Sequence, residues 1–346
     1  MGRVVGGSNG ISSGLCGGKS YQRFTASGDW IKPAGASVIT FEIIGGGGAG
    51  SGGWAADAPG NDVAGGGGGG GGAMKRYSLP AASVPNFLTV VVGELAEGTV
   101  GSGTAAGDGE HGNNSSISDG TFTLTSYGGR GSDMGPGSAS GVGGGGGGTG
   151  SIGDVGSPTG ASNAGTAGAG GAPFVQGLIN GSAFGSPNSN HHAAGGGGGS
   201  GVGNSGGTLA ASGKSAEFGG GGGGSSNNCA GGGSIFGGGA GGGSGGWHGF
   251  PTSGGAWGNF TQGGADNGYE NGDTFPVNSP AAAGDSRAFG CGDGGAGLHD
   301  NNADNAAELG GQGGNPGGGG GSSGKNTTGH VRGGHGSRGE VRIWSW

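Results

Sequence analysis

The chain has no apolar run that approaches the ~18 residues of a membrane-crossing helix, so no membrane insertion is expected. Charge is scarce: only 10% of residues are Asp, Glu, Lys or Arg. Large aliphatic and aromatic anchors are scarce too, with Leu, Ile, Val and Phe at roughly a seventh of the chain, below the ~20% that marks a poor core former. The cysteines, Cys16, Cys229 and Cys291, are odd in number and lack the spacing of a zinc or redox motif. That excludes a disulfide framework; free thiols formed in a reducing cytoplasm are the simplest reading, with a single disulfide as the alternative. Proline numbers 12 and glycine follows no G-X-Y period, which excludes collagen. There are no heptads to build a coiled-coil trimer. Thirteen basic residues against 21 acidic ones give a net charge of −8, and Arg332-Gly333-Gly334 is the one outright Arg-Gly-Gly match, so nucleic-acid binding is not expected.

What fills the chain instead is glycine, 112 of 346 residues, and it comes in runs. The longest is Gly65 to Gly72; others are Gly45 to Gly48, Gly143 to Gly148, Gly195 to Gly199, Gly219 to Gly224, the interrupted Gly231 to Gly246, and Gly317 to Gly321. Such a run is either a flexible linker or a rod. As a rod it takes the threefold extended helix, with about 3.1 Å per residue and its N–H and C=O groups pointing sideways. Those groups need partners when buried, and neighbouring rods can supply them if no side chain keeps the backbones apart. The expectation is a bundle of polyglycine rods joined by loops, with Gly68, Gly146, Gly197, Gly222 and Gly319 among the rod positions.

Residues 1–19 are small and polar and form an N-terminal attachment segment; they lack the apolar core of a signal peptide. From there the sequence predicts strands. Tyr21 to Thr25 is the first, Gly28-Asp29 a turn, and Trp30 to Gly35 an extended entry into a second strand, Ser37 to Ile44, which alternates Ile39, Phe41 and Ile43 on one face. Asn86 to Val92 is a third. Asn114 to Ile117 and Thr121 to Tyr127 make a hairpin whose Asp119-Gly120 pair favours a type I′ turn. Gly339 to Trp346 is the last. The fold class is therefore all-β plus polyglycine II, without substantial α-helix: a small β-sandwich base from 20–127 and 339–346, and a layered bundle of polyglycine helices and exposed loops mainly from 128–338, with further rods at 45–72.

Several of these features together resemble a known family. They are the Trp30-x-Lys32-Pro33 turn, the strand that runs into Gly45 to Gly48, the Val90-Val91-Val92-Gly93 strand, the Ser115-Ser116 hairpin followed by Tyr127-Gly128-Gly129, and the terminal Arg338-Gly339-Glu340-Val341-Arg342-Ile343-Trp344 block. In this order they look like the glycine-rich domain of bacteriophage tail and fibre proteins, and the plan is similar to the polyglycine-sandwich adhesins at tail-fibre tips. The resemblance implies a virion protein made in the host cytoplasm, a β base, and variable loops that contact a receptor on the bacterial surface, a glycan or an outer-membrane protein. Other virion proteins would be partners, and a homo-oligomer is expected, three being a common copy number for fibres.

Chemistry needs convergent polar groups, and none is evident. His191 and His192 are adjacent and point to opposite sides of an extended chain. His330 and His335 lie near Arg332 and Arg338 without a third ligand. His299 to Asn305 resembles the start of a calcium loop but lacks its sixth-position glycine and twelfth-position glutamate. No G-x-S-x-G elbow holds a nucleophile, and the G-x-G-x-x-G matches precede no helix that could bind phosphate. Neither enzyme activity, metal nor cofactor is expected. Aromatic residues are more informative, since Trp247, Phe250, Trp257 and Phe260 crowd a region otherwise starved of large side chains. They either plug rod ends or form a binding surface. Trp247, His248, Phe250, Trp257, Asn259, Phe260 and Tyr269 are the candidate receptor-binding residues, with Gln262 and Asn267 able to hydrogen-bond a glycan. The alternative function is a purely structural virion component, in the head, baseplate or tail, whose loops contact viral neighbours.

Overall fold

In the computed structural model the described residues are 19–52, 67–101, 107–133, 143–148, 150–152, 213, 219–224, 231–234, 241–242, 283–284, 286, 290–295, 308–323 and 331–346. They form eleven strands: β1 (Ser20–Phe24), β2 (Gly28–Ile31), β3 (Val38–Ile44), β4 (Met74–Pro80), β5 (Phe87–Val91), β6 (Val100–Gly101), β7 (Ser115–Ser118), β8 (Thr123–Ser126), β9 (Glu308–Leu309), β10 (Val331–Arg332) and β11 (Glu340–Ser345). The fold is all-β, and one 3₁₀ turn, Ala81–Ser83, is the only helical element among the described residues.

Two four-stranded antiparallel sheets, ordered β1-β11-β3-β4 and β2-β5-β7-β8, carry the core, and the two-residue strands β6, β10 and β9 make a small mixed ribbon. Alternation explains the packing. Ile39, Phe41 and Ile43 of β3 and Val341 and Ile343 of β11 point inward from one sheet; Trp30, Leu88, Val90 and Ile117 meet them from the other. Trp30 packs edge-on to Phe41, ring centroids 5.9 Å apart. Because β1 and β11 pair along their whole length, from Ser20↔Ser345 to Phe24↔Val341, the sandwich ties the two ends of the described chain together.

Three local expectations are corrected. Gly28-Asp29 is not a turn but the start of β2, since Gly28 pairs with Val90 and Asp29 with Thr89. Trp30 and Ile31 therefore belong to the opposite sheet from β3 rather than leading into it. The β7–β8 hairpin has no two-residue type I′ turn: four residues separate the paired Ser118 and Thr123. There Asp119 Oδ1 accepts the N–H groups of Thr121 (2.9 Å) and Phe122 (2.7 Å), and Gly120 takes φ +98°. This Asx arrangement satisfies the loop backbone without the paired positive φ values of type I′. The third correction is β4, a full strand on β3 that sequence reasoning passed over.

The glycine-rich segments leave the sandwich and hydrogen-bond to one another sideways. Along 45–52 the direction of donation repeats every third residue. Gly45, Gly48 and Ser51 donate to the carbonyls of Ala73, Gly70 and Gly67; Gly46, Ala49 and Gly52 to Asn113, Glu110 and Gly107; Gly47 and Gly50 to Ser337 and Gly334, at 2.8 to 3.1 Å throughout. A β-strand cannot do this, because its groups alternate between two sides. The stride recurs along 67–73. Gly68 and Gly71 donate to Gly224 and Gly221, Gly69 and Gly72 to Gly320 and Gly317, and Gly70 and Ala73 to Arg130 and Tyr127.

Candidate functional site

Each of these two segments is enclosed. Segment 45–52 donates to 67–73, 107–113 and 332–339, and accepts from 127–133 (Gly129 to Gly46, Ser132 to Ala49) and 317–323 (Gly320 to Gly48, Ser323 to Ser51). The sixth side is 93–100, whose Glu94 carbonyl lies 3.2 Å from where a Cβ on Gly46 would sit. The surrounding segments bond to one another as well, through pairs such as Gly70–Arg130, Gly112–Gly129, Glu110–Glu97, Gly336–Ala96, Gly334–Gly321 and Gly69–Gly320, so the ring closes. Segment 67–73 has its own six neighbours: the three that it donates to, together with 45–52, 143–148 and 241–242, which donate to it.

Packing at this spacing leaves no room for a side chain wherever a glycine faces a neighbouring carbonyl, and the buried side chains of these two segments, Ala49, Ser51 and Ala73, are small. A Cβ on Gly48 would stand 2.1 Å from the Arg130 carbonyl oxygen, and one on Gly70 2.3 Å from that of Gly145. The exception has a cause. At Gly46 nothing comes nearer than 3.2 Å, and three residues on, along the same side, the sequence has Ala49. Of the glycines expected in rods, Gly68 donates to Gly224, Gly222 accepts from Gly232, and Cβ atoms on Gly146 and Gly319 would lie 1.9 and 2.2 Å from the carbonyls of Gly220 and Gly69. Gly197 lies outside the described residues.

At the rim, side chains take over as acceptors. His111 Nδ1 accepts the N–H of Gly131 at 3.1 Å, and His335 Nδ1 that of Gly98 at 3.2 Å. Asn114 Oδ1 accepts from Gly128 (3.0 Å), Glu110 Oε2 from Glu97 (3.0 Å), and Ser115 Oγ from Gly93 (2.9 Å). Gly98 is held at both groups, because Arg332 Nε donates to its carbonyl at 2.7 Å. Desolvation, with Arg130 adding to it, lowers the His111 pKa; desolvation and Arg332 lower that of His335. Sequence reasoning left His335 without a role and did not single out His111. The available signal was spacing, for Arg332, His335 and Arg338 recur every third residue, as do His111 and Asn114.

Where the lattice meets the outer face of β11, an ion network is sealed in. Arg342 and Glu340 are fully buried; Arg342 Nε donates to Glu340 Oε1 at 2.7 Å, and its other nitrogens reach Glu42 and the Gly290 carbonyl. Arg23 makes a bidentate pair with Glu340, both contacts 2.7 Å. Burial pushes the Glu340 carboxyl up, but the bonds and charges of Arg23 and Arg342 outweigh it and hold its pKa below the ordinary value. Cys291 lies against this network as a buried free thiol whose pKa burial raises, so it stays protonated and unreactive. On the inner face, desolvation lowers Lys75 to about 8, with its Nζ 5.6 Å from the centre of the Tyr127 ring.

The candidate receptor-binding residues Trp247, His248, Phe250, Trp257, Asn259, Phe260 and Tyr269 all lie outside the described residues, as do His191, His192, His330 and the 299–305 stretch. Among the described residues, no three His, Cys, Asp or Glu side chains converge as a metal site, and no helix is long and apolar enough to cross a membrane. No protein-family model and no curated protein matches the chain.

Proposed function

We propose that the glycine segments are polyglycine II helices and that the protein is a non-enzymatic adhesin of a bacteriophage tail, using them as a rigid scaffold for receptor-binding loops. The observation that carries this reading is the pair of enclosed segments, each bonded at a three-residue stride. Three residues per turn with sideways hydrogen bonds is the geometry of that helix. An interior packed to backbone contact has no space for a ligand, so recognition falls to residues that leave the lattice. The stretches 153–212 and 243–282, outside the described residues, hold most of the aromatic residues in the glycine-rich part, including the Trp247 to Phe260 group. Aromatic anchors at such positions suit stacking on sugars or apolar protein patches.

Adsorption competition tests the role. Purified protein incubated with candidate host cells should bind saturably and block infection by phage carrying the same gene. The double variant Trp247→Ala/Trp257→Ala should lose that effect with its melting temperature unchanged. Folded protein that never binds would instead favour a structural virion component. That second reading draws on the outer face of the β2-β5-β7-β8 sheet, where Ile31, Phe87 and Val91 are exposed as a neighbouring subunit would require.

A further inference from the structure

We propose that His111 and His335 are acid-sensitive latches on the 93–100 and 107–113 edge of the lattice, each holding one glycine N–H while its ring is neutral and releasing it on protonation, which loosens the edge at Gly131 and Gly98 while the backbone bonds of the same seams remain. Both imidazoles serve as acceptors to a backbone N–H, of Gly131 and Gly98 respectively. An Nδ1 that accepts carries no proton, so each ring must be neutral with its hydrogen on Nε2. Protonation turns Nδ1 into a donor and sets two N–H groups against each other. The two latches sit on neighbouring seams. His111 joins segment 107–113 to 127–133, and His335 joins 332–339 to 93–100, while 93–100 and 107–113 are bonded to each other through Glu110 and Glu97.

The charged surroundings favour release. Arg130 faces His111 from the adjoining segment and Arg332 lies one turn before His335, both opposing a second positive charge. Asp108 and Glu110 face His111, and Glu97, Glu110 and a hydrogen bond to the Ala96 backbone favour the protonated His335, all acting in the opposite sense; a protonated ring is drawn toward these acceptors and away from the glycine N–H. Burial and the arginines prevail, so both folded pKa values lie below the ordinary 6.5. The unfolded chain then binds more protons over this interval. The latch contribution is complete above about pH 6.5 and is lost as pH falls through the lower folded values. Asn114 shows the non-titrating version of the same device on Gly128. The inference rests on these hydrogen bonds and not on the adhesive role.

Hydrogen exchange of the full chain, corrected for the intrinsic pH dependence of exchange, tests it. Protection at Gly98 and Gly131 should fall by roughly two- to tenfold between pH 7.5 and the acid side of the transition, the loss of one net hydrogen bond at each. Protection at Gly48 should hold. The double variant His111→Asn/His335→Asn, which keeps an acceptor and removes the titration, should retain protection and lose the acid response. Unchanged wild-type protection across the range would overturn the proposal, as would an identical acid response in the Asn variant. Nitrogen-15 spectra of the wild-type imidazoles provide a check independent of any variant: Nε2–H tautomers are expected at pH 7.5, and a proton on either Nδ1 contradicts the latch.

Discussion

The sandwich and the glycine lattice are built on opposite terms. In the sandwich, side chains supply the specificity: Phe41, Trp30 and Ile343 interlock, and each large apolar side chain buried there gains about 1.5–3 kcal/mol. In the lattice, side chains must be absent or small, as at the buried Ala49, Ser51 and Ala73. Its bonds are backbone to backbone, each with a net gain of the same order as the entropy lost in fixing one residue. Such a structure persists only if its buried backbone groups find partners, and along 45–52 and 68–73 every N–H donates to the carbonyl of a neighbouring segment. The two regions also fail differently, the sandwich by cavities and the lattice by intrusion.

Substitutions can break that contrast. The largest effect is expected from Gly48→Val, which drives a branched side chain into a backbone carbonyl 2.1 Å from its Cβ; neither the Arg130 carbonyl nor the ring around it can yield. A loss above about 4 kcal/mol, or failure to fold, is expected in urea unfolding. Wild-type stability in this variant would mean that the segments are not packed to contact. Next comes Glu340→Gln, at the junction of the two regions. It removes one of the two carboxylates paired with the buried Arg342, and the partner of Arg23 as well, and should cost about 3–5 kcal/mol. Because the folded Glu340 pKa is lowered, its contribution is present above the unfolded carboxylate value and lost as pH falls through the folded one, so the variant should also show a shallower acid destabilisation. The smallest effect sharpens the comparison from the other side. Gly28→Ala lies in β2, where the nearest atom to a new Cβ is Phe24 Cε1 at 3.8 Å, and its stability should stay within about 0.5 kcal/mol of wild type.

The contrast also explains what the sequence could reveal. β3, β5, β8 and β11 were legible because β-branched and aromatic residues recur there; β1 showed through Tyr21 and Phe24, and β7 through the Asp119-Gly120 hairpin signal. β4 was not: Met74-Lys75-Arg76-Tyr77-Ser78-Leu79-Pro80 has no β-branched residue, and its inward row begins with the charged Lys75. Glycine runs announce extended, side-chain-free segments, but a glycine has no side chain to specify its neighbour, so the partners of 45–52 could not be read. Segments 93–100 and 107–113 were hidden for another reason. As rim members they carry Glu94, Leu95, Glu97 and His111 on sides that face outward, and this masks their place in the lattice. The aromatic residues from Trp247 to Tyr269 remain where the sequence left them, as the proposed contact surface.

The most direct measurement is of scalar couplings across hydrogen bonds in selectively labelled protein. Three successive N–H groups should couple to carbonyls in three different segments: Gly48 to Gly70, Ala49 to Glu110 and Gly50 to Gly334. Alternate residues coupling to one neighbour, as in a β-ladder, or no coupling along 45–52, would contradict the threefold lattice.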